Sequence, residues 1–277
     1  MRSVPGCAAS TVWGMPTRTL PPESLDELVE AYGATAQSVL DLGLTCRPDD
    51  FDLPTQHNGR TVKQQIAHVA GLPADEDRTG HDVVQELSHV LPRRMRALRD
   101  PQLTLEGPTP DVLGGAGSLG TTLHRQIIDT WCLEQDLREA LDRPGNLDSA
   151  AAAAVVTAVL ADFPAQAAGA GLAPGTSVII ECTGPVLARE GVRITPSPDG
   201  SLRGEPLFSG QAHVDETDDS TGEVIVVPPG SITTIRLTTE ALTRRGAGRV
   251  PTADLRYSVV GDEDIATAVL DRLAIVS

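Results

Sequence analysis

Residues 124–138 read HRQIIDTWCLEQDLR and carry the clearest helical signal in the chain. Within this stretch Asp129, Leu133 and Asp136 recur at i, i+4 and i+7, a spacing that predicts a helix with all three residues on one face. A carboxylate on the inward face of a helical bundle is costly unless it is paired or bound to a cation. We therefore predict a bundle helix that carries an ion-paired or functional acidic site.

Other side chains on this helix leave alternatives open. Glu134 and Asp136 are candidate bases, or ion-pair partners of Arg125 and Arg138 on the same helix. Cys132 is either a thiol near the site or a buried, inert cysteine. Spacing alone does not decide between these alternatives. The remaining histidines are expected to lie off the site: His81, His89, His124 and His213.

A second informative stretch is LPTQHNGRTV, residues 53–62, which leads into a helix that carries His68. His68 lies about 100° around that helix from Val69, at the margin of the apolar stripe. A lone histidine in this position is either a hydrogen-bonded core residue or a site residue. The acidic helix favours the site. His57, in the loop before the helix, is a further ligand candidate or an exposed loop residue.

Outward from these stretches, periodicity and capping signals predict helices up to about residue 170 and short strands after it. The predicted helices are 24–42, 61–71, 81–99 (kinked or split at Pro92), 118–141 and 148–168. The predicted strands are 177–183, 191–195, 223–227, 233–237 and 255–259, with helices at 239–245 and 262–273 and a loop at 215–220. A Gly/Ala/Pro linker at 169–175 separates the two regions. We predict a flexible extension (1–22), a helical bundle (23–170) and a small α+β domain (171–277).

Composition limits the partners and the compartment. The net charge of −16 disfavours nucleic acid and anionic lipid, which bind clustered Lys and Arg, so we expect a small-molecule substrate and no membrane. The alanine-rich stretch 150–161 is expected to be too weakly apolar to span a bilayer. The four cysteines form no CxxC pair, which favours free thiols and the cytoplasm. A monomer and a homodimer are both consistent with these features.

Three separated phrases, 54–71, 129–144 and the C-terminal third, together resemble the mycothiol-dependent maleylpyruvate isomerase family. In the last third the likeness is carried by ECTGP (181–185), by 235–249 with its final Gly248-Arg249, and by VGD (260–262). The resemblance implies a DinB-like four-helix bundle followed by a sterol-carrier-like α+β domain.

The resemblance also implies a divalent metal, usually zinc. Its ligands would be a histidine on the second helix, and a glutamate and a histidine four residues apart on a later helix. Carried over to this chain, the ligands are His68 and Asp129, with aspartate in place of glutamate. The third position is Leu133, which cannot bind a metal. The chain also has Gln56 to Arg60 where the family has proline-cysteine-proline-glycine-tryptophan.

These departures predict a repurposed small-molecule enzyme without a tightly bound cofactor, although the resemblance allows zinc and mycothiol. His57 or His68 would act with Asp129 as an acid/base pair. Arg249 would position an anionic substrate group, or form a structural salt bridge. The reaction would be isomerisation, cyclisation or thiol transfer, in specialised metabolism. Two alternatives stay open: a non-catalytic small-molecule-binding protein, and a zinc- and mycothiol-dependent isomerase whose ligands are completed by His57 or water.

Overall fold

The computed structural model describes residues 19–57, 59–73, 77–114, 117–208 and 232–275. The helical part consists of α1 (Leu25–Leu44), α2 (Val62–Ala70), α3 (Gly80–Leu98), α4 (Leu119–Ala140) and α5 (Ala150–Ala168). The second part consists of β1 (Ser177–Thr183), β2 (Leu187–Pro196), β3 (Leu202–Pro206), β4 (Ile232–Leu237), α6 (Thr239–Gly246), β5 (Tyr257–Val260) and α7 (Glu263–Arg272). The predicted class, a helical bundle followed by a small α+β unit, is confirmed.

Side-chain caps set where the helices begin. The Ser24 hydroxyl accepts a hydrogen bond from the Glu27 amide, and the Glu27 carboxylate accepts one from the Ser24 amide at 2.9 Å. Thr61 and Gln64 form the same reciprocal arrangement at the start of α2. Each pair satisfies amides that have no partner within the first helical turn. The two capping boxes predicted from the sequence are therefore present.

Two apolar clusters fill the interior. The first lies among α1, α2, α3 and the C-terminal half of α4, and its members include Ile66, Leu87, Leu133 and Leu137. The second joins α1, α4 and α5 to the sheet and to α7, and its members include Leu28, Ile127, Phe163, Ile180 and Leu270. Residues on both sides of the predicted boundary at 170 thus share one cluster. The domain bounds themselves stay a prediction.

Helix α5 is apolar on all sides because it packs on α1 and α4 and also on β2, β3, α6 and α7. Within the described ranges it is the one helix long and apolar enough to cross a membrane, with a mean hydropathy of 1.5. The expectation that this stretch is too weakly apolar is wrong by that measure. Of the apolar window, 56% is buried inside the protein, which accounts for the alanine and valine content.

The sheet has the strand order β3-β2-β1-β4-β5. Central β1 is antiparallel to β2 and parallel to β4, with Ile180 opposite Glu190 and Ile235. Strand β4 leads directly into α6, and the turn after α6 carries Arg249. The α6 segment, which comprises α6 and the turn after it (residues 239–249), therefore brings residues of the α+β unit against α4.

Helix α3 continues through Pro92, so it is not split there; Pro92 lies on its exposed side, where water can bond the carbonyl that loses a helical partner. The structure departs from the predicted elements in two strands. Strand β2 begins at Leu187, four residues before its predicted start at 191, and β3 was not predicted at all. The predicted strand 223–227, the predicted loop 215–220, His213 and Cys7 lie outside the described residues.

Candidate functional site

The loop before α2 is closed by its own backbone, and this closure places His57. The Thr55 amide donates to the Arg60 carbonyl at 2.7 Å, and the Arg60 amide donates to the His57 carbonyl at 2.9 Å. Gly59 has φ +71°, a left-handed conformation that side chains disfavour. The turn holds His57 on the side of the loop that faces α4 and the α6 segment.

Asp136 is the centre of a buried ionic cluster. Its side chain is 0% exposed, and Arg244 Nη1 donates to its Oδ1 at 2.6 Å. Arg249 Nε donates to its Oδ2 at 3.1 Å. A buried carboxylate is tolerated only when it is paired and hydrogen-bonded, and both cations come from the α+β unit. Asp136 is thus ion-paired, but its partners are Arg244 and Arg249 and not the arginines of its own helix that the sequence suggested.

His57 lies against the same cluster. Arg249 Nη2 forms a hydrogen bond with His57 Nδ1, and Asp136 Oδ2 is 3.8 Å from that nitrogen. Burial lowers the pKa of His57 and the adjacent Arg249 charge lowers it further, while Asp136 acts in the opposite direction. The ring is therefore neutral near pH 7. The structure thus brings together His57 and Arg249, with Asp136 as their nearest carboxylate.

Arg244 extends the cluster toward the surface. Its Nη2 donates to Gln56 Oε1 at 2.8 Å and also to Glu139. On the inner side, Gln65 Nε2 donates to Thr55 Oγ1 at 3.1 Å. Sequence reasoning missed Arg244 and Gln65. In the sequence, the only signal for Arg244 was its position five residues before Arg249. The signal for Gln65 was a polar residue next to the apolar stripe of α2.

His68 and Asp129 form a second, more open group. His68 lies on the solvent-accessible side of α2, yet surrounding protein lowers its pKa by desolvation, Arg60 lowers it further and Asp129 raises it. Burial raises the pKa of Asp129, against the charges of His68, Arg125 and Arg249. No hydrogen bond or ion pair joins the two within the described ranges. The charge of each group still shifts the pKa of the other.

A cavity of about 640 Å³ opens beside Asp129. It lies between α4, α5 and the chain after α7, and Ile128, Ala158 and Ile275 supply much of its apolar wall. Arg125, one turn before Asp129, lines the same space. The Asp162 carboxylate lines it too, so the wall holds both apolar and charged groups. A concave space of several hundred Å³ with such a wall suits a small, polar organic molecule.

Other candidates from the sequence are placed away from this chemistry. Glu134 accepts hydrogen bonds from Arg138 Nε at 2.7 Å, Ser38 at 2.6 Å and Asn146 at 2.6 Å, so it is a structural ion-pair partner. Burial raises the pKa of Cys132 to about 12, which keeps its thiol protonated. The Nδ1 atom of His124 contacts the Gly120 carbonyl of its own helix at 2.9 Å.

The side chains do not fit a three-ligand zinc site. Leu133, at the third ligand position, is 5% exposed and belongs to an apolar cluster. His57, the residue expected to replace it, has its Nδ1 atom bound to Arg249. Across the described ranges, no three His, Cys, Asp or Glu side chains converge to hold a metal ion. No step proposed below therefore involves a metal.

The fold and the site define a helical bundle protein with an α+β unit, in which a histidine and an aspartate have shifted pKa values and the aspartate lines a cavity. No family model and no curated protein matches the sequence. Two solved structures are similar, a mutant form of the mycothiol-dependent maleylpyruvate isomerase (TM-score 0.48, 10% identity) and that isomerase itself (TM-score 0.42, 12% identity). Each match covers 85% of this chain and 93% of the other. With TM-scores below 0.5, this likeness supports no conclusion about the function of this chain.

Proposed function

We propose that this protein is a small-molecule enzyme that moves a proton within its substrate, with His68 and Asp129 as the acid/base pair. The observation that carries the proposal is the pair itself. Desolvation by neighbouring protein lowers the pKa of His68, burial raises the pKa of Asp129, and Asp129 lines a cavity large enough for a small organic molecule. Titratable groups whose pKa values are shifted in a cleft are candidates for acid/base catalysis.

The proposed chemistry follows from the two protonation states. Near pH 7 His68 is neutral and accepts a proton from the substrate, and the Asp129 carboxylate stabilises the imidazolium that forms. His68 then returns the proton to a different atom of the substrate. No atom is gained or lost, so the net reaction is an isomerisation.

The test uses the purified full chain and a panel of small unsaturated 2-oxo acids, with and without a low-molecular-weight thiol. Substrate and products are separated by chromatography and identified by mass spectrometry. We expect a product of unchanged mass, and in deuterium oxide one solvent deuteron at the new position. His68→Ala and Asp129→Asn should each lower the rate by about 10²-fold or more. The matched controls are His89→Ala and Asp41→Asn, both on exposed helix faces.

Each alternative gives a different result. Turnover that survives in both site variants would overturn the acid/base assignment. Binding of panel members without any turnover in the unmodified chain would favour the non-catalytic binding protein. One equivalent of zinc by metal analysis, lost in His68→Ala and required for turnover, would favour the zinc-dependent alternative.

A further inference from the structure

We propose that Arg249 and Asp136 hold His57 as a neutral hydrogen-bond donor, with its proton on Nε2, which binds an oxygen atom of the substrate. This proposal rests on the proposed function for the presence of a substrate at the site. It gives His57 a role different from that of His68. It also makes Arg249 and Asp136 positioning residues.

The first step concerns the hydrogen bond between Arg249 Nη2 and His57 Nδ1. A guanidinium group is always protonated and has donors only, so the imidazole nitrogen must be the acceptor. Nδ1 therefore has a free lone pair and carries no proton. In a neutral ring the single proton is then on Nε2.

The second step concerns why Arg249 does not turn away. Its Nε atom donates to Asp136 Oδ2 at 3.1 Å, and its Nη1 atom donates to the Ala247 carbonyl at 2.9 Å. The side chain is 9% exposed, and Asp136 is itself fixed by Arg244 Nη1 at 2.6 Å. These two bonds, made by Nε and Nη1, fix the guanidinium plane, so Nη2 is directed at His57.

The third step concerns the charge on His57. A protonated ring would carry a proton on Nδ1, directed at the Arg249 guanidinium. Burial, Arg249 and Arg60 oppose that second positive charge, and Asp136, 3.8 Å from Nδ1, favours it. Asp136 already neutralises two arginines, so it raises the pKa of His57 by less than burial and Arg249 lower it. The neutral ring is favoured.

His57 and His68 therefore have different roles at the site. The His57 side chain keeps 19% of its surface exposed, so the ring is accessible to a ligand. A neutral N–H donor binds a carbonyl or enolate oxygen and stabilises negative charge that develops there. His68, whose pKa is lowered without a guanidinium bound to its ring, stays available as the base. The substrate class is thus one with an oxygen acceptor next to the carbon or oxygen that exchanges its proton.

The test is two-dimensional NMR of the ¹⁵N-labelled full chain near pH 7, in which long-range ¹H–¹⁵N correlations distinguish the two tautomers and the imidazolium. The His57→Gln variant assigns the signals. We expect His57 in the Nε2–H form. A protonated Nδ1, as the other tautomer or as imidazolium, would overturn the proposal.

Variants test the positioning residues. Arg249→Met removes the donor and should give a mixture of tautomers, and Asp136→Asn should do the same by releasing Arg249. Glu134→Gln is the matched control, a buried carboxylate on the same helix that binds Arg138, and it should leave the His57 tautomer unchanged. An unaltered His57 spectrum in Arg249→Met would overturn the positioning role. If Asp136→Asn does not fold, Arg249→Met and the unmodified chain still decide the question.

The outcome is separable from that of the proposed function because the NMR measurement needs no turnover. A failed tautomer prediction leaves the His68 and Asp129 rate effects unaffected. Once turnover is measured, His57→Gln, which keeps an N–H donor, should retain more of kcat than His57→Phe. Equal losses of kcat in the two variants would contradict the donor role.

Discussion

The protein keeps Asp129 in a position that disfavours its charge. Burial raises the pKa of this carboxyl group. His68, when it is protonated, and the charges of Arg125 and Arg249 only partly oppose the effect. A group held in this way is unfavourable for folding and useful for chemistry, which is the usual compromise at a catalytic site. Asp136 shows the opposite arrangement, because two arginines satisfy its buried charge.

Asp129 gives a pH-dependent stability prediction with a definite sign. Its pKa is higher in the folded chain than in the unfolded one, so its contribution to stability is full below the unfolded value and is lost as pH rises through the folded value. Near pH 7 the Asp129→Asn variant should therefore be more stable than the unmodified chain. This gain should shrink as pH falls toward the ordinary pKa of an aspartate. Urea unfolding at both pH values measures it.

The matched control for this comparison is Asp41→Asn, an exposed position on α1. It should change the free energy of unfolding by no more than about 0.5 kcal/mol at either pH. A lower stability of Asp129→Asn near pH 7 would show that the carboxylate is better compensated than we infer.

Helix α4 carries three acidic side chains that face three different parts of the protein. Asp129 lines the cavity beside α5, Asp136 faces the arginines of the α6 segment, and Glu134 faces Ser38 on α1. The sequence predicted the helix and shows the acidic residues on it. It did not predict which acid meets which partner, because the partners lie about 100 residues away in the sequence.

Helix α2 positions His68, and its first turn depends on one side chain. The Thr61 hydroxyl accepts from the Gln64 amide, while Gln64 Oε1 accepts from the Thr61 amide at 2.9 Å. Thr61→Ala should lower the free energy of unfolding by about 1 kcal/mol, since it removes an N-terminal cap. Thr61→Ser keeps the hydroxyl and should lose less than half of that. Equal losses in the two variants, by denaturant unfolding, would mean that packing of the threonine methyl group dominates.

The contact between α5 and the sheet joins the helical part of the protein to the α+β unit. Gly204 on β3 lies so close to α5 that a Cβ atom would be 2.4 Å from the Pro164 carbonyl oxygen and 2.9 Å from its Cα. Both atoms belong to the backbone, so they cannot move aside as a flexible side chain can. Gly204→Ala should therefore lower the free energy of unfolding by about 1–3 kcal/mol.

The control for this contact is Gly169→Ala, just after α5. A Cβ atom there would be 3.5 Å from the nearest carbonyl oxygen, an ordinary contact distance. Its effect on the free energy of unfolding should stay within about 0.5 kcal/mol. A tolerated Gly204→Ala, measured by the same denaturant titration, would show that β3 can move away from α5 without disturbing the shared apolar cluster.

The helices, their capped starts, four of the five strands in the described ranges and the order of the helical and α+β parts could all be predicted from the sequence. Those features depend on hydrophobic periodicity and on side chains that bond within one turn, and both are local. Only the tertiary structure decided that Arg244 and Arg249 bind Asp136, that Arg249 occupies Nδ1 of His57, and that α5 shares its core with the sheet. These contacts join residues far apart in the chain, and packing geometry selects them among many partners of the same charge and size.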